Sequence, residues 1–311
     1  MDSTETGHRV TGRAAVFEEK GPFTGLALEG FDVIRDGVVA TGDLEFTEGE
    51  NALFRVAYRK AGVANPQMDA VLRIAGAGPV LETRSTLDTR SWRMGGVYAV
   101  EIPFAIPGFR YSGRASLYFL AGDPNTADGF AVLWATPIFV RPVIHRGDED
   151  REMLTKEFGE EFRPLRAAFV LGPGASIELS FAPRVSGSAI GLVSRMLHDH
   201  TIPQGAEVCR VEMMDGSGQT IASSNLVAGV HTAQGDSDYY AKGTVRSEKI
   251  SEFRSWRADR PAADGSEFDG HLYKGELGIG IAESSAKLRF TYLPASGIIE
   301  VREVLIKAVR P

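Results

Sequence analysis

The segments Glu207–Met213 (EVCRVEM) and Gln219–Ser224 (QTIASS) flank the turn Asp215–Gly218 (DGSG), and this stretch decides the fold class. From Cys209 onward, apolar and charged residues alternate along the first segment, which is the pattern of a half-buried strand. An Asp-Gly turn between two such runs predicts an antiparallel β-hairpin.

The same period of two recurs along the whole chain between turns rich in Gly, Pro and Asp. In Ala52–Tyr58 (ALFRVAY), the alternation places Phe54, Val56 and Tyr58 on one face of a strand. Many short strands at even spacing favour β-sandwiches over other architectures. The other strands predicted in the second half are Arg166–Leu171, Ser176–Phe181, Ala189–Met196, Lys287–Tyr292 and Ile298–Ala308.

The fold class predicted from these patterns is all-β, with two antiparallel β-sandwich domains of the Ig-like or jelly-roll kind. We predict an N-terminal sandwich over residues 1–143, closed by a buried strand, and a C-terminal jelly-roll-like sandwich over 166–311. Residues 144–165 are predicted to form a charged linker or a short amphipathic helix with Asp148 as its cap. In the last strand the alternation slips near Val304, which predicts a β-bulge there.

Composition narrows the classes of function. The 311 residues carry a formal net charge of -7, both halves are mildly acidic, and no basic block occurs. Binding to the nucleic-acid backbone or to an anionic membrane surface is therefore not expected. The single cysteine, Cys209, excludes an internal disulfide, and its place on a strand predicts a buried, inert thiol.

The N-terminus and the most apolar window predict no membrane-bound form. The first residues, MDSTETG, lack the basic and apolar regions of a signal peptide. The most apolar window, residues 129–144, is short for a membrane span and contains Pro137, Arg141 and Pro142. The expectation from these features is a cytoplasmic protein or a soluble piece of something larger.

The first candidate site lies in residues 229–240 (GVHTAQGDSDYY). Its side chains could bind a saccharide by hydrogen bonds and stacking, its carboxylates could hold Ca²⁺, or the segment could be a solvated turn. The candidate ligand-binding residues in this segment are His231, Asp236, Asp238, Tyr239 and Tyr240.

The second candidate site is the polar stretch Ser255–Arg260 (SWRADR), with Trp256 and Arg257. His271, at the start of a following strand, is a separate candidate. A tryptophan beside arginines can form a stacking platform with charged donors. The alternative interpretations are a tryptophan that seals the edge of the core and a histidine with a structural hydrogen bond.

A metal site is a further alternative. His198 and His200 stand two apart on a predicted strand, Asp199 could orient one of them, and His231 or His271 would complete the set. The alternative is that the same residues form a polar loop that binds no metal. The prediction from the residues is that the chain uses neither a metal nor another cofactor, and no catalytic residue is assigned.

Short motifs in the second half resemble a soluble β-sandwich module of bacterial multi-spanning membrane glycosyltransferases and related cell-envelope polysaccharide proteins. They cover about 140 residues. The motifs are Gly191–Ser194 (GLVS), Ile202–Gly205 (IPQG), Asp215-Gly216, Ala228–Ala233 (AGVHTA), Asp236–Tyr240 (DSDYY) and Phe268–Tyr273 (FDGHLY).

The first half resembles the ligand-binding sandwich of polysaccharide ABC transporters, through Gly49–Val56 (GENALFRV), a loop containing Trp92, and Pro137–Val140 (PIFV). The membrane and ATPase parts of those proteins do not occur in this sequence. The two resemblances imply a carbohydrate-related role and supply no catalytic residue to carry over.

Three functions are therefore weighed. The first is a non-catalytic carbohydrate-binding or polysaccharide-assembly accessory protein, whose partners would be a glycan and a protein of envelope glycan assembly. The second is a structural or interaction protein of an envelope or phage-like assembly. The third is an enzyme, using a metal at His198, His200 and His271.

Overall fold

The computed structural model describes residues 8–9, 24–76, 78–125, 129–198, 201–236, 250–258, 267 and 269–308. Over these residues the regular secondary structure consists of β-strands in antiparallel sheets and one helix, so the predicted all-β class is confirmed. None of the helical segments in the described ranges has the length and hydropathy that crossing a membrane requires.

Two sheets form the first part of the chain. Their strands are β1 (His8–Arg9), β2 (Leu26–Arg35), β3 (Val38–Val39), β4 (Glu45–Thr47), β5 (Asn51–Lys60), β6 (Gln67–Ala75), β7 (Leu81–Asp88), β8 (Val97–Ala105), β9 (Gly113–Gly122) and β10 (Phe130–Arg141). One sheet has the order β1-β2-β5-β8, with β3 paired to β2, and the other has the order β4-β10-β9-β6-β7.

Aromatic side chains fill the space between these two sheets. Phe31 of one sheet lies 4.6 Å from Phe119 of the other, measured between ring centroids. Phe54, Val56 and Tyr58 are fully buried, which confirms the face predicted for Ala52–Tyr58. The predicted burial of the closing strand was wrong for most of its length, because β10 is mainly half-buried.

One nine-stranded sheet and the helix form the second part. Their bounds are β11 (His145–Arg146), α1 (Arg151–Phe158), β12 (Phe162–Pro164), β13 (Ala167–Leu171), β14 (Ser176–Leu197), β15 (Glu207–Met214), β16 (Thr220–Val227), β17 (Ser251–Arg257), β18 (Asp269–Tyr292) and β19 (Ile298–Ala308). The order is β11-β13-β19-β14-β18-β15-β16, with β12 paired to β19 and β17 paired to β18. The β15–β16 pair confirms the predicted hairpin.

Two long strands fold this sheet into two layers. The first half of β14 pairs with the second half of β18, while the second half of β14 pairs with β19 and the first half of β18. Bulges between Ser180 and Ala189 allow the bend, so two strands predicted separately form one bent strand. Phe169 and Phe290, on strands that are not neighbours, lie with their ring centroids 5.1 Å apart and their planes tilted by 52° inside the jelly-roll-like sandwich.

The helix α1 packs on the outer face of the sheet. Leu154 and Phe158 are buried in a cluster with Val193, Leu272 and other apolar residues. Asp150 is the N-cap, since its carboxylate accepts a hydrogen bond from the Met153 N–H at 2.8 Å. The predicted cap at Asp148 was therefore wrong by two residues, although the helix itself is confirmed.

The chain divides into two compact units. The first comprises Met1–Gly108 with Ala115–Phe139, and the second comprises Phe109–Arg114 with Val140–Pro311. Residues 144–165, predicted as a linker, lie within the second unit. The candidate site described below is built within the second unit alone.

Candidate functional site

The segment around Gly235 lies between the end of β14 and the start of β18 and so shapes the site. The Met196 N–H donates to the Ala233 carbonyl at 2.8 Å, and the Gly235 N–H donates to the Met196 carbonyl at 2.9 Å. On the other side, the His271 N–H donates to the Gly235 carbonyl at 2.8 Å. A Cβ at Gly235 would lie 2.5 Å from Cδ of Arg195, so only glycine fits between the two strands.

Trp256 lies on the strand β17, directly opposite Gly270 of β18. A Cβ at Gly270 would lie 2.7 Å from the indole carbons Cε2 and Cζ2, so the indole covers this glycine across the strand pair. The side chain remains 36% exposed, the only exposed tryptophan among the described residues. The indole is therefore held in place by its neighbours and is still open to a ligand.

A chain of stacked and ion-paired side chains holds the indole. The Arg195 guanidinium lies 4.9 Å from the Trp256 ring centroid. Its Nε and Nη2 donate to Oε2 of Glu300 at 2.9 and 2.7 Å, and the other oxygen of Glu300 pairs with Arg302. The Arg302 guanidinium in turn lies 4.5 Å from the Phe109 ring centroid. We call these five residues the arginine–tryptophan platform.

A β-bulge places the acids of β19 under the platform. Val301 pairs with Ser194 and Glu303 pairs with Val193, so Arg302 is the extra residue. The phase change lets Glu300 and Glu303 face the same side although they are three residues apart. The bulge predicted near Val304 thus exists, two residues earlier in the chain.

Two further buried carboxylates lie next to the platform. Oε1 of Glu149 accepts from Nη2 of Arg254 at 2.9 Å, and the Glu149 side chain is 2% exposed. Glu303 is fully buried, 3.4 Å from Nη1 of Arg166, which also donates to the Glu149 carbonyl at 2.7 Å. Burial raises the pKa of both Glu149 and Glu303, and the neighbouring guanidinium groups oppose this shift only in part.

His271 projects from the opposite face of the sheet. The register pairs His271 with Ser255 and Gly270 with Trp256, and adjacent residues of a strand point to opposite faces. Nδ1 of His271 lies 2.6 Å from Oε2 of Glu252. The structure therefore does not unite Trp256 and His271 in one site.

Asp236 is the one candidate with an unsatisfied buried atom. The residue is 5% exposed, and its Oδ1 has no hydrogen-bond partner in the described part of the chain. Asp236 follows Gly235 and so lies where β14 and β18 separate. The candidates Asp238, Tyr239 and Tyr240 lie outside the described residues.

His231 holds a turn. Its Nδ1 accepts a hydrogen bond from the Val227 N–H at 3.0 Å, and burial lowers its pKa. A neutral imidazole that accepts from the backbone supports the loop before Gly235, and this favours the structural interpretation of His231 over ligand binding.

The predicted strand with two histidines is wrong at its end. The strand β14 stops at Leu197, and His198 has a left-handed backbone with φ of 66°. His200 lies outside the described residues. No group of three or more His, Cys, Asp or Glu side chains able to hold a metal ion occurs in the ranges that the structure describes.

The arginine that stacks on Trp256 was not among the candidates predicted from the sequence. The Arg257 side chain pairs with Glu267 at 2.8 Å and with Asp269 at 3.1 Å, whereas Arg195 stacks on the indole. Arg195 is the only charged residue in the predicted strand Ala189–Met196, which was a signal for a special role. Nothing in the sequence indicated that its partners would be Trp256 and Glu300.

Comparisons with known proteins assign no family. No family model matches the chain, and no curated protein matches it. Among solved structures, the chain is similar to the VP2 subviral particle of infectious bursal disease virus, with 10% identity and a TM-score of 0.15. The match covers 92% of this chain and 73% of that chain. A TM-score this low carries no argument about fold or function.

Proposed function

We propose that the protein is a non-catalytic carbohydrate-binding protein and that the arginine–tryptophan platform is its binding site. The observation that carries the proposal is the exposed indole of Trp256, fixed on Arg195 and Gly270. A fixed aromatic ring offers an apolar surface on which the C–H face of a sugar can stack, with little loss of side-chain entropy on binding.

The groups around the indole support non-catalytic ligand binding. The carboxylate of the platform, Glu300, is engaged by Arg195 and by Arg302. Such ion pairs fix the guanidinium groups, whose remaining N–H donors can bind sugar hydroxyls. The resemblance of the second half to modules of bacterial envelope polysaccharide proteins supports the same class of ligand.

Trp256→Ala tests this proposal on a glycan array and by titration of the best ligand. We expect selective binding by the wild type and a loss of ~10-fold or more in the variant, the range typical for a central tryptophan. Trp256→Phe should retain part of the affinity because it keeps an aromatic face.

Trp92→Ala is the matched control. Trp92 is half-buried, stacks on Tyr98 at 4.4 Å and belongs to the first unit, whereas all residues of the proposed site belong to the second. The Trp92→Ala variant should leave glycan affinity unchanged. Absence of binding to every glycan, or equal losses in the two alanine variants, would contradict the proposal, and a role in assembly would then be tested by the oligomeric state.

A further inference from the structure

Four arginine side chains, two in the platform and two next to it, are more exposed than the three carboxylates clustered with them. The exposed fractions of the arginine side chains are 16% for Arg195, 34% for Arg302, 35% for Arg166 and 45% for Arg254. Those of the carboxylates are 4% for Glu300, 0% for Glu303 and 2% for Glu149. A molecule that approaches this face therefore meets guanidinium groups before it meets the acids.

These seven residues form one connected cluster. Glu300 joins Arg195 to Arg302, and Arg166 contacts both Glu303 and the Glu149 carbonyl. Arg302 and Glu300 also act electrostatically on Glu149, which links the two parts. These seven residues carry a formal charge of +1, and Asp148, which also acts electrostatically on Glu149, brings the sum to zero. The cluster is therefore distinguished by which groups are exposed, and these are the arginines.

The surface formed by these arginines ends at acidic residues on the side of the helix α1. Asp148 and Asp150 are exposed there, and Asp150 is occupied as the cap of α1. Toward Trp256 and Phe109, by contrast, the described neighbours of the guanidinium groups are aromatic rings. An anionic group on a ligand is thus favoured on the guanidinium groups at the side away from the helix.

We propose that the saccharide bound by this platform is an acidic one, with a sugar face on Trp256 and its carboxylate, sulfate or phosphate group on the guanidinium groups. The planar fork of arginine matches such oxyanions in geometry and charge. This inference rests on the proposed function and deepens it by naming the class of glycan.

The probes are matched oligosaccharide pairs that differ only in the acidic group. They are oligogalacturonate with its methyl ester, oligohyaluronate with its methyl ester, sulfated heparin oligosaccharide with its desulfated form, and a phosphorylated mannan fragment with its dephosphorylated form. We expect the acidic member of at least one pair to bind ~10-fold or more tightly than its neutral partner, with affinity that falls as salt rises.

The variant that tests the arginines is the double substitution Glu149→Gln with Arg254→Gln. It removes Arg254, the most exposed of the four guanidinium groups, together with its buried partner, so the formal charge of the cluster is unchanged and no buried carboxylate is left unpaired. We expect the variant to fold, since the pair is removed as a unit. We expect the double variant to lower the affinity for the acidic ligand ~10-fold and to leave the affinity for any neutral ligand unchanged. The matched control is Glu178→Gln with Arg289→Gln, a pair joined at 2.6 Å at the other end of β14 and β18.

The outcomes distinguish the acidic-ligand proposal from the proposal that the protein binds carbohydrate. Tighter binding of the acidic member that is lost in the first double variant alone supports the acidic ligand. Equal or tighter binding of neutral members, still dependent on Trp256, overturns the acidic ligand and leaves the proposed function intact. No binding to any probe or to any glycan on the array overturns both.

Discussion

At the scale of single residues, burial and ion pairing act on the pKa of Glu303 in opposite directions. Its carboxylate is fully buried, lies 3.4 Å from Arg166, and accepts from the Ala167 N–H at 3.3 Å. Burial nevertheless raises the pKa of Glu303, because loss of hydration outweighs these contacts. The charged form is therefore less favourable in the folded protein than in the unfolded chain.

The stability of the protein should depend on Glu303 in a defined direction of pH. Where the folded pKa is above the unfolded value, the folded state binds more protons, so the free energy of unfolding falls as pH rises from about 4 through the raised pKa. Glu303→Gln removes this contribution, and its stability should fall less steeply than that of the wild type in urea unfolding at pH 4 to 8.

Glu178→Gln is the control of opposite sign. Arg289 lowers the pKa of the exposed Glu178, so its small contribution is present above the unfolded pKa and is lost as pH falls. Parallel pH profiles of the wild type and the Glu303→Gln variant would show that burial of Glu303 does not govern the dependence.

At the scale of elements, the helix α1 depends on a cap and on its packing against the sheet. It has only two turns, Arg151–Phe158, and such a short helix is unstable in isolation. Leu154 and Phe158 bury its inner face in the cluster with Val193 and Leu272. The Asp150 carboxylate satisfies one of the N–H groups that the first turn leaves unpaired.

Asp150→Ala should lower the free energy of unfolding by ~1 kcal/mol, the usual value of an N-cap. Asp148→Ala is the matched control, because Asp148 is exposed two residues earlier and does not cap the helix. Chemical denaturation of both variants measures the difference. A larger loss for Asp148→Ala than for Asp150→Ala would contradict the assigned cap.

At the scale of the whole molecule, each unit has its own aromatic core. Phe31, Phe54 and Phe119 join the two sheets of the first unit. Phe169 and Phe290 join the two layers of the second, and both are fully buried. Burial of large aromatic side chains is the main source of stability for sandwiches of this kind.

Phe290→Ala should lower the free energy of unfolding by ~3–5 kcal/mol, because it leaves a cavity between the layers. Hydrogen exchange should show the largest loss of protection in the strands around the cavity, β13, β15 and β18. Leu293→Ala is the control, since Leu293 is 37% exposed just beyond β18. Equal losses of protection for the two variants would contradict the assigned core.

Much of the fold could be predicted because its signals are local. Alternation over Ala52–Tyr58 and the turn at Asp215–Gly218 each lie within a few residues, and both predictions are confirmed. The bend of β14 and the exact cap of α1 could not be predicted, because the first depends on pairing with distant strands and the second on contacts of the helix with the sheet.

By itself, the sequence determined an all-β chain, since the period of side chains and the chemistry of turns specify strands locally, and it left a short helix or a charged linker open for residues 144–165. It also singled out Trp256, which lies in the proposed site. Only the tertiary structure decided that Arg195 and Glu300 would support this indole and that His271 would face the other way. The physical reason is strand pairing, which brings together residues far apart in sequence and assigns each one to a face.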